Sequence, residues 1–137
     1  MSIRLLTDAL VLLIGGTIGT LLRYAMTHIW FSHITYFMIP WPTLVVNSIG
    51  SFLTGAVFEV FKKTGIVMPH AEKFLFIGFF GALTTFSSYS LDSVNILREG
   101  RYKQALVYIS LSNIIPILFA VSGCFTAIFF MNLYRNH

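Results

Sequence analysis

Residues 78–90 read Gly78-Phe79-Phe80-Gly81-Ala82-Leu83-Thr84-Thr85-Phe86-Ser87-Ser88-Tyr89-Ser90. The stretch is uncharged and lies inside an apolar run that starts near residue 74 and continues toward residue 97. Its two glycines and its dense hydroxyl run are poor material for an unbroken helix. A break at membrane depth is tolerated only where protein or a cavity receives the freed backbone groups. The stretch therefore predicts a membrane span with a break at residues 81–84. Carbonyls freed there are hard oxygen ligands suited to a small cation.

Three further runs accompany it, at residues 9–29, 42–61 and 105–133. Each exceeds or approaches the roughly 20 apolar residues that cross a bilayer at 1.5 Å per residue. The last is longer than a bilayer needs, which predicts tilt or projection into water. Of 137 residues, 56% are hydrophobic and 10% charged, against about 25% charged in soluble domains. The bilayer is the expected solvent. The fold class predicted is an all-α membrane protein of four transmembrane helices, the third one broken, in a single domain over residues 1–137.

The connections are short. Residues 31–41, with His33, Pro40 and the flanking Trp30 and Trp41, read as an interfacial loop with an aromatic belt. Lys62, Lys63, Thr64 and Gly65 close the second span. Arg98, Glu99, Gly100 and Arg101 form a tight turn between the third and fourth. Arg4 precedes the first run, but Gly15, Gly16 and Gly19 interrupt it and no small-residue cleavage site follows, so it reads as a retained span.

The net charge is +4, with basic residues at the ends of apolar runs. They are interface anchors and not a nucleic-acid patch. Four spans put Arg4, Lys62, Lys63, Lys73 and Arg135 on one side and Arg23, Arg98, Arg101 and Lys103 on the other. Five against four picks no orientation. One orientation set by other factors, and copies inserted both ways, are both open. The single Cys124 makes neither a disulfide nor a metal site by itself and reads as a small buried hydrophobe.

Four helices do not easily surround a pore, so a channel or transporter of this length needs at least a dimer. Gly15, Gly16 and Gly19, and then Gly50, Ser51, Thr54 and Gly55, supply small faces for close helix packing. Asn47, with Thr43 one turn earlier, reads either as interhelical glue or as a donor lining an anion path. Arg23 either snorkels to the interface or attracts anions at a vestibule. Phe86 and Tyr89 share a helical face. Aromatic edges carry partial positive charge, and Thr85, Ser87 and Ser88 add hydroxyl donors beside them. Packing and an ion path are both open for this face.

The motifs together resemble the Fluc family of fluoride channels, also called CrcB, over nearly the whole chain. The matching pieces are Gly15-Gly16-Thr17-Ile18-Gly19 with Arg23-Tyr24, Thr43-Leu44-Val45-Val46-Asn47 with Gly50-Ser51-Phe52, and residues 78–90. The resemblance implies an antiparallel dual-topology homodimer with two fluoride pores and a central structural sodium ion, in the cell's inner or plasma membrane. It implies passive fluoride export that relieves toxicity. Gly81 and Thr84 match backbone carbonyl ligands for sodium. Phe86 matches a pore phenylalanine, Asn47 the pore asparagine, Arg23 the vestibule arginine, and Thr43 the threonine before that asparagine. Tyr108 and Ser112 match a tyrosine and a serine lining the path. Tyr89 stands where the family usually has a second phenylalanine, and Pro116 falls one turn after Ser112, where it is expected to disturb the helix.

Three functions are weighed. A fluoride channel uses weak donors without trapping the ion; it forms as a homodimer or as one subunit of a heterodimer. A proton-coupled exporter of small dual-topology type needs a carboxylate deep in a span, whereas Asp8, Glu59, Glu72, Asp92 and Glu99 all fall near span ends. A non-transporting assembly subunit leaves the third-span break without a purpose. No nucleophile, base or nucleotide loop is evident, which predicts no enzymatic activity.

Overall fold

The computed structural model describes residues 3–31, 39–65 and 68–135; His33 and its neighbours in the first connection lie outside them. The described residues form α1 (Ile3–Ala25) with a π-helical turn Met26–Trp30, α2 (Trp41–Thr64), α3 (Pro69–Glu72) running into a π-helical segment Lys73–Phe80, then α4 (Gly81–Leu83), α5 (Phe86–Arg98) and α6 (Tyr102–Arg135). They make four spans long and apolar enough to cross a membrane: Ile3–Trp30, Trp41–Thr64, Pro69–Arg98 and Tyr102–Arg135. Each extends a few residues past its apolar run, because polar end residues continue the helix into the headgroup region.

The ends follow local chemistry. Pro42 sits in the first turn of α2, where its missing N–H removes nothing. Gly65 closes α2 at φ 63°, a left-handed value that favours glycine. Gly100 has φ 72° in the turn between α5 and α6, where its N–H donates to Leu97 O at 3.0 Å. The 34 residues of α6 span about 50 Å and continue through Pro116 without interruption. Pro116 instead removes one ladder bond, the one its N–H would have donated to the Ser112 carbonyl.

Backbone meets backbone at two seams. A Cβ at Gly15 would lie 2.6 Å from Phe74 O, and one at Gly19 would collide with Phe79 O, so α1 rests directly on the third span. A Cβ at Gly55 would collide with Ala120 O and one at Gly123 with Phe52 O, so α2 and α6 each seat a glycine against the other's carbonyl. Such closeness is what small residues provide in lipid, where apolar burial drives little association. The glycine groups divide more finely than the sequence suggests. Gly16 meets nothing within 4 Å, and Gly50 faces the Thr84 side chain and not α6. Cys124 is half-buried at the second seam, with its thiol donating to Gly55 O at 3.2 Å.

The interior holds two apolar clusters. Ile39, Leu44, Ile96, Ala105 and Tyr108 form one; Met26, Val46, Phe80 and Leu83 form the other. Leu13, Leu21, Ile117 and Phe125 stay exposed, as expected of residues facing lipid.

The helical path of the third span is interrupted at Thr84 (φ −84°, ψ 151°) and Thr85 (φ −145°, ψ 117°), both extended. This lies at the end of the expected window and not at its glycine. Gly81 is right-handed helical (φ −63°, ψ −31°) and opens α4. The reason is a neighbouring helix: the peptide of Thr85 is held by a side chain from α2.

Candidate functional site

That side chain is Asn47. Its Oδ1 accepts the Thr85 N–H at 2.8 Å, and its Nδ2 donates to the Thr85 carbonyl at 3.1 Å. The amide thereby completes a backbone unit that helical geometry would otherwise pair within the chain. Of the two readings for Asn47, interhelical glue is the one this geometry fills first. One Nδ2 proton is left over.

Thr85 then caps α5. Its Oγ1 accepts the Ser88 N–H at 3.1 Å and donates to Ser88 Oγ at 3.1 Å. Ser87 Oγ lies 3.1 Å from the same Oγ1. In a continuous helix Thr85 N–H would serve the Gly81 carbonyl, and Ser88 N–H the Thr84 carbonyl. Both donors are engaged elsewhere. Two carbonyls are thus freed at the positions expected to ligate sodium, and hard oxygens of this kind suit a small cation. Among the described residues no cluster of histidine, cysteine or acidic side chains offers a metal site.

Two cavities meet Thr85. The outer one, about 370 Å³, is lined by Arg23, Thr27, His28, Thr43, Thr85, Ser88 and Asp92 with Ile39, Pro40 and Pro42. The inner one, about 210 Å³, is lined by Asn47, Ser51, Thr84, Thr85, Phe86, Tyr89, Ser112, Asn113 and Pro116. Arg23 reaches the outer cavity with its Nε donating to Ala82 O at 3.0 Å, at the carboxyl end of α4. The guanidinium therefore has a fixed place and does not snorkel freely. Phe86 and Tyr89 pack at 5.3 Å between ring centroids and 58° between planes. Phe86 is 76% exposed, a large apolar ring with little of the chain against it. Ser112 carries a buried Oγ with no hydrogen-bond partner among the described residues.

The other expected residues sit at the edges. Tyr108 is fully buried, its ring 5.8 Å from that of Tyr89. Ser87 is exposed and lines neither cavity, and Gly81 is exposed and lines neither.

Two residues were missed in the sequence. Asp92 was set aside as a span-end acid, yet its Oδ2 accepts from Thr43 Oγ1 at 2.9 Å and from Tyr108 Oη at 3.2 Å. It joins α2, α5 and α6 at the outer cavity. The spacing Phe86, Tyr89, Asp92 carried the signal, because steps of three stay on one helical face. Asn113 is the other. Its Nδ2 donates to Tyr89 Oη at 2.9 Å and to Ile109 O at 2.7 Å. Glu59, the acid that an exporter would use, is buried on α2 and lines neither cavity.

The extended residues Thr84 and Thr85, bonded by Asn47 from a neighbouring helix and flanked by two cavities rich in hydroxyl and amide groups, meet the condition on which non-helical backbone is tolerated in a membrane protein. The model of the family described as "CrcB-like protein, Camphor Resistance (CrcB)" matches residues 10–124, and the chain belongs to that family. It is 38% identical over 114 residues to the fluoride-specific ion channel FluC of Leptospira interrogans serovar Lai, covering 83% of this chain and 89% of the relative. It is 38% identical over 110 residues to that of Hahella chejuensis (80% and 85%) and over 112 residues to that of Aquifex aeolicus (80% and 88%).

Proposed function

We propose that this chain is a fluoride-selective channel that lets fluoride leave the cell passively and so relieves its toxicity. The observation that carries the reading is the Asn47–Thr85 clamp, which holds the third span open between two polar cavities. The curated relatives named as fluoride-specific channels support the choice of ion. Fluoride is small and strongly hydrated, so its water must be replaced by several donors, none of which holds it fast. On the outer side the Arg23 guanidinium attracts the anion and Ser88 presents a hydroxyl, while Thr43 and Thr85, whose own protons go to Asp92 Oδ2 and Ser88 Oγ, line the cavity and hold those partners in place. Ser112, the spare Asn47 proton and the edges of Phe86 and Tyr89 follow on the inner side. Ser87 and Tyr108 support this ladder from behind, through Thr85 and Asp92 respectively. The chain has no enzymatic role in this reading.

The working unit is two copies in antiparallel orientation, inserted both ways in the inner or plasma membrane, with the broken third spans meeting at the two-fold axis. The near balance of charge between the two sides supports such insertion. So do the exposure of Gly81 and of Phe86, which a second copy would cover. The Gly81 and Thr84 carbonyls of both copies would hold a structural sodium ion. When bound it supplies a fixed positive charge and hard-ligand cross-links at the dimer centre. Permeation is the work of the side chains already named.

Purified protein reconstituted alone in liposomes should release fluoride and hardly any chloride. Equal efflux of the two ions would end the selectivity claim. Fluoride efflux that needs a second family member would replace the homodimer with a heterodimer.

A further inference from the structure

The Tyr89 hydroxyl has a partner that fixes its role. Asn113 Nδ2 donates to Tyr89 Oη at 2.9 Å and to the Ile109 carbonyl, one turn back on α6, at 2.7 Å. A backbone carbonyl only accepts, so the amide atom facing it is the nitrogen, and this settles which way the amide points. That nitrogen carries two protons, and the two contacts use both. Tyr89 Oη is therefore the acceptor of the pair, and its own proton remains available. Among the described residues no acceptor takes it. The ring is also packed against two others, Phe86 at 5.3 Å and Tyr108 at 5.8 Å between centroids.

The setting of the pair points inward. Tyr89 and Asn113 line the inner cavity together with Asn47 and Ser112. Ser112 adds a second hydroxyl there whose oxygen is buried and unpartnered. Asn113 is exposed on a membrane-spanning helix, a costly place for an amide whose only service is to its own helix.

We propose that Asn113 is a positioning residue that converts Tyr89 from a ring edge into an oriented hydroxyl donor for fluoride; this rests on the channel function proposed above. An O–H to a small anion is a charge-assisted bond, shorter and stronger than contact with an aromatic edge. Fluoride, the smallest and most basic halide, gains most from it. With its amide protons both committed, Asn113 does not itself touch the ion. It keeps Tyr89 Oη from turning its proton toward the α6 backbone.

The test is fluoride efflux from liposomes for the unsubstituted protein, Tyr89→Phe, Asn113→Leu, Asn113→Ser and the double variant Tyr89→Phe/Asn113→Leu, each checked for assembly by size-exclusion chromatography. Serine can still bond the Ile109 carbonyl one turn back but is too short to reach Tyr89, so it separates helix solvation from positioning. Each single variant should slow efflux about tenfold, and the double variant should be no slower than Tyr89→Phe alone, as expected of residues acting through one contact. Unchanged efflux in Tyr89→Phe or in Asn113→Ser would overturn the proposal, as would a double variant slowed by the product of the single effects. Unsubstituted protein that releases no fluoride would overturn the channel reading and this one together. A conducting protein with an insensitive Tyr89 overturns this one alone.

Discussion

Asn47 on α2 grips the peptide of Thr85 from both sides, accepting its N–H at 2.8 Å and donating to its C=O at 3.1 Å. One side chain thus substitutes for the pairing that a continuous third helix would give that residue. Thr84 and Thr85 stay extended beside it.

Removing the clamp should close the path. Asn47→Ala leaves the Thr85 N–H and C=O without their partner, at about 1–3 kcal/mol for a buried group left unsatisfied. The expected outcome is a lower melting temperature in detergent, near-complete loss of fluoride efflux, and a size-exclusion profile unchanged from that of the parent protein. Normal efflux would mean that the break holds without the clamp.

Phe86 tests the path without touching the fold. At 76% exposed it contributes little to the packing of its own chain. Phe86→Ile should assemble and melt like the parent protein and yet lose fluoride efflux, because the aromatic edge is gone. Preserved efflux would show that the Phe86 ring edge is not a station on the path.

Asp92 is expected to matter through the two hydroxyls that it holds. Asp92→Ala strips Tyr108 Oη and Thr43 Oγ1 of their common acceptor. With Tyr108 fully buried, the variant should lose about 1–3 kcal/mol of stability in a denaturation titration. Tyr108→Phe in the same background should recover part of that loss, because it removes the orphaned hydroxyl. Additive losses would show that the pair is not coupled.

The seam between α2 and α6 should be intolerant of volume. Gly123→Leu brings a side chain against Phe52 O, where even a Cβ collides. Backbone cannot yield as a flexible side chain does, so a loss of several kcal/mol is expected, on the order of 3 or more. It should appear as poor recovery of monodisperse protein. Gly55→Leu should behave the same way, from the opposite face of the contact.

The amino-acid sequence alone determined the number and rough extent of the spans, the short connections and the glycine stops at Gly65 and Gly100. These depend on hydropathy and on local backbone chemistry, both of which act within a few residues. The presence of an interruption in the third span was also legible, from its glycines and hydroxyls. Its position was legible only to within the window 81–84, at whose far end it falls. Gly81 permits a break but does not require one, and the outcome at Thr84 and Thr85 was decided by Asn47, 38 residues earlier. The same holds for Asp92, whose partners Thr43 and Tyr108 lie on two other helices, and for Asn113, which gains meaning only from the Tyr89 hydroxyl. Periodicity reports which face a residue occupies. Only the packing of α2, α5 and α6 against one another decides which polar groups find partners, because hydrogen bonds act over about 3 Å and not along the chain.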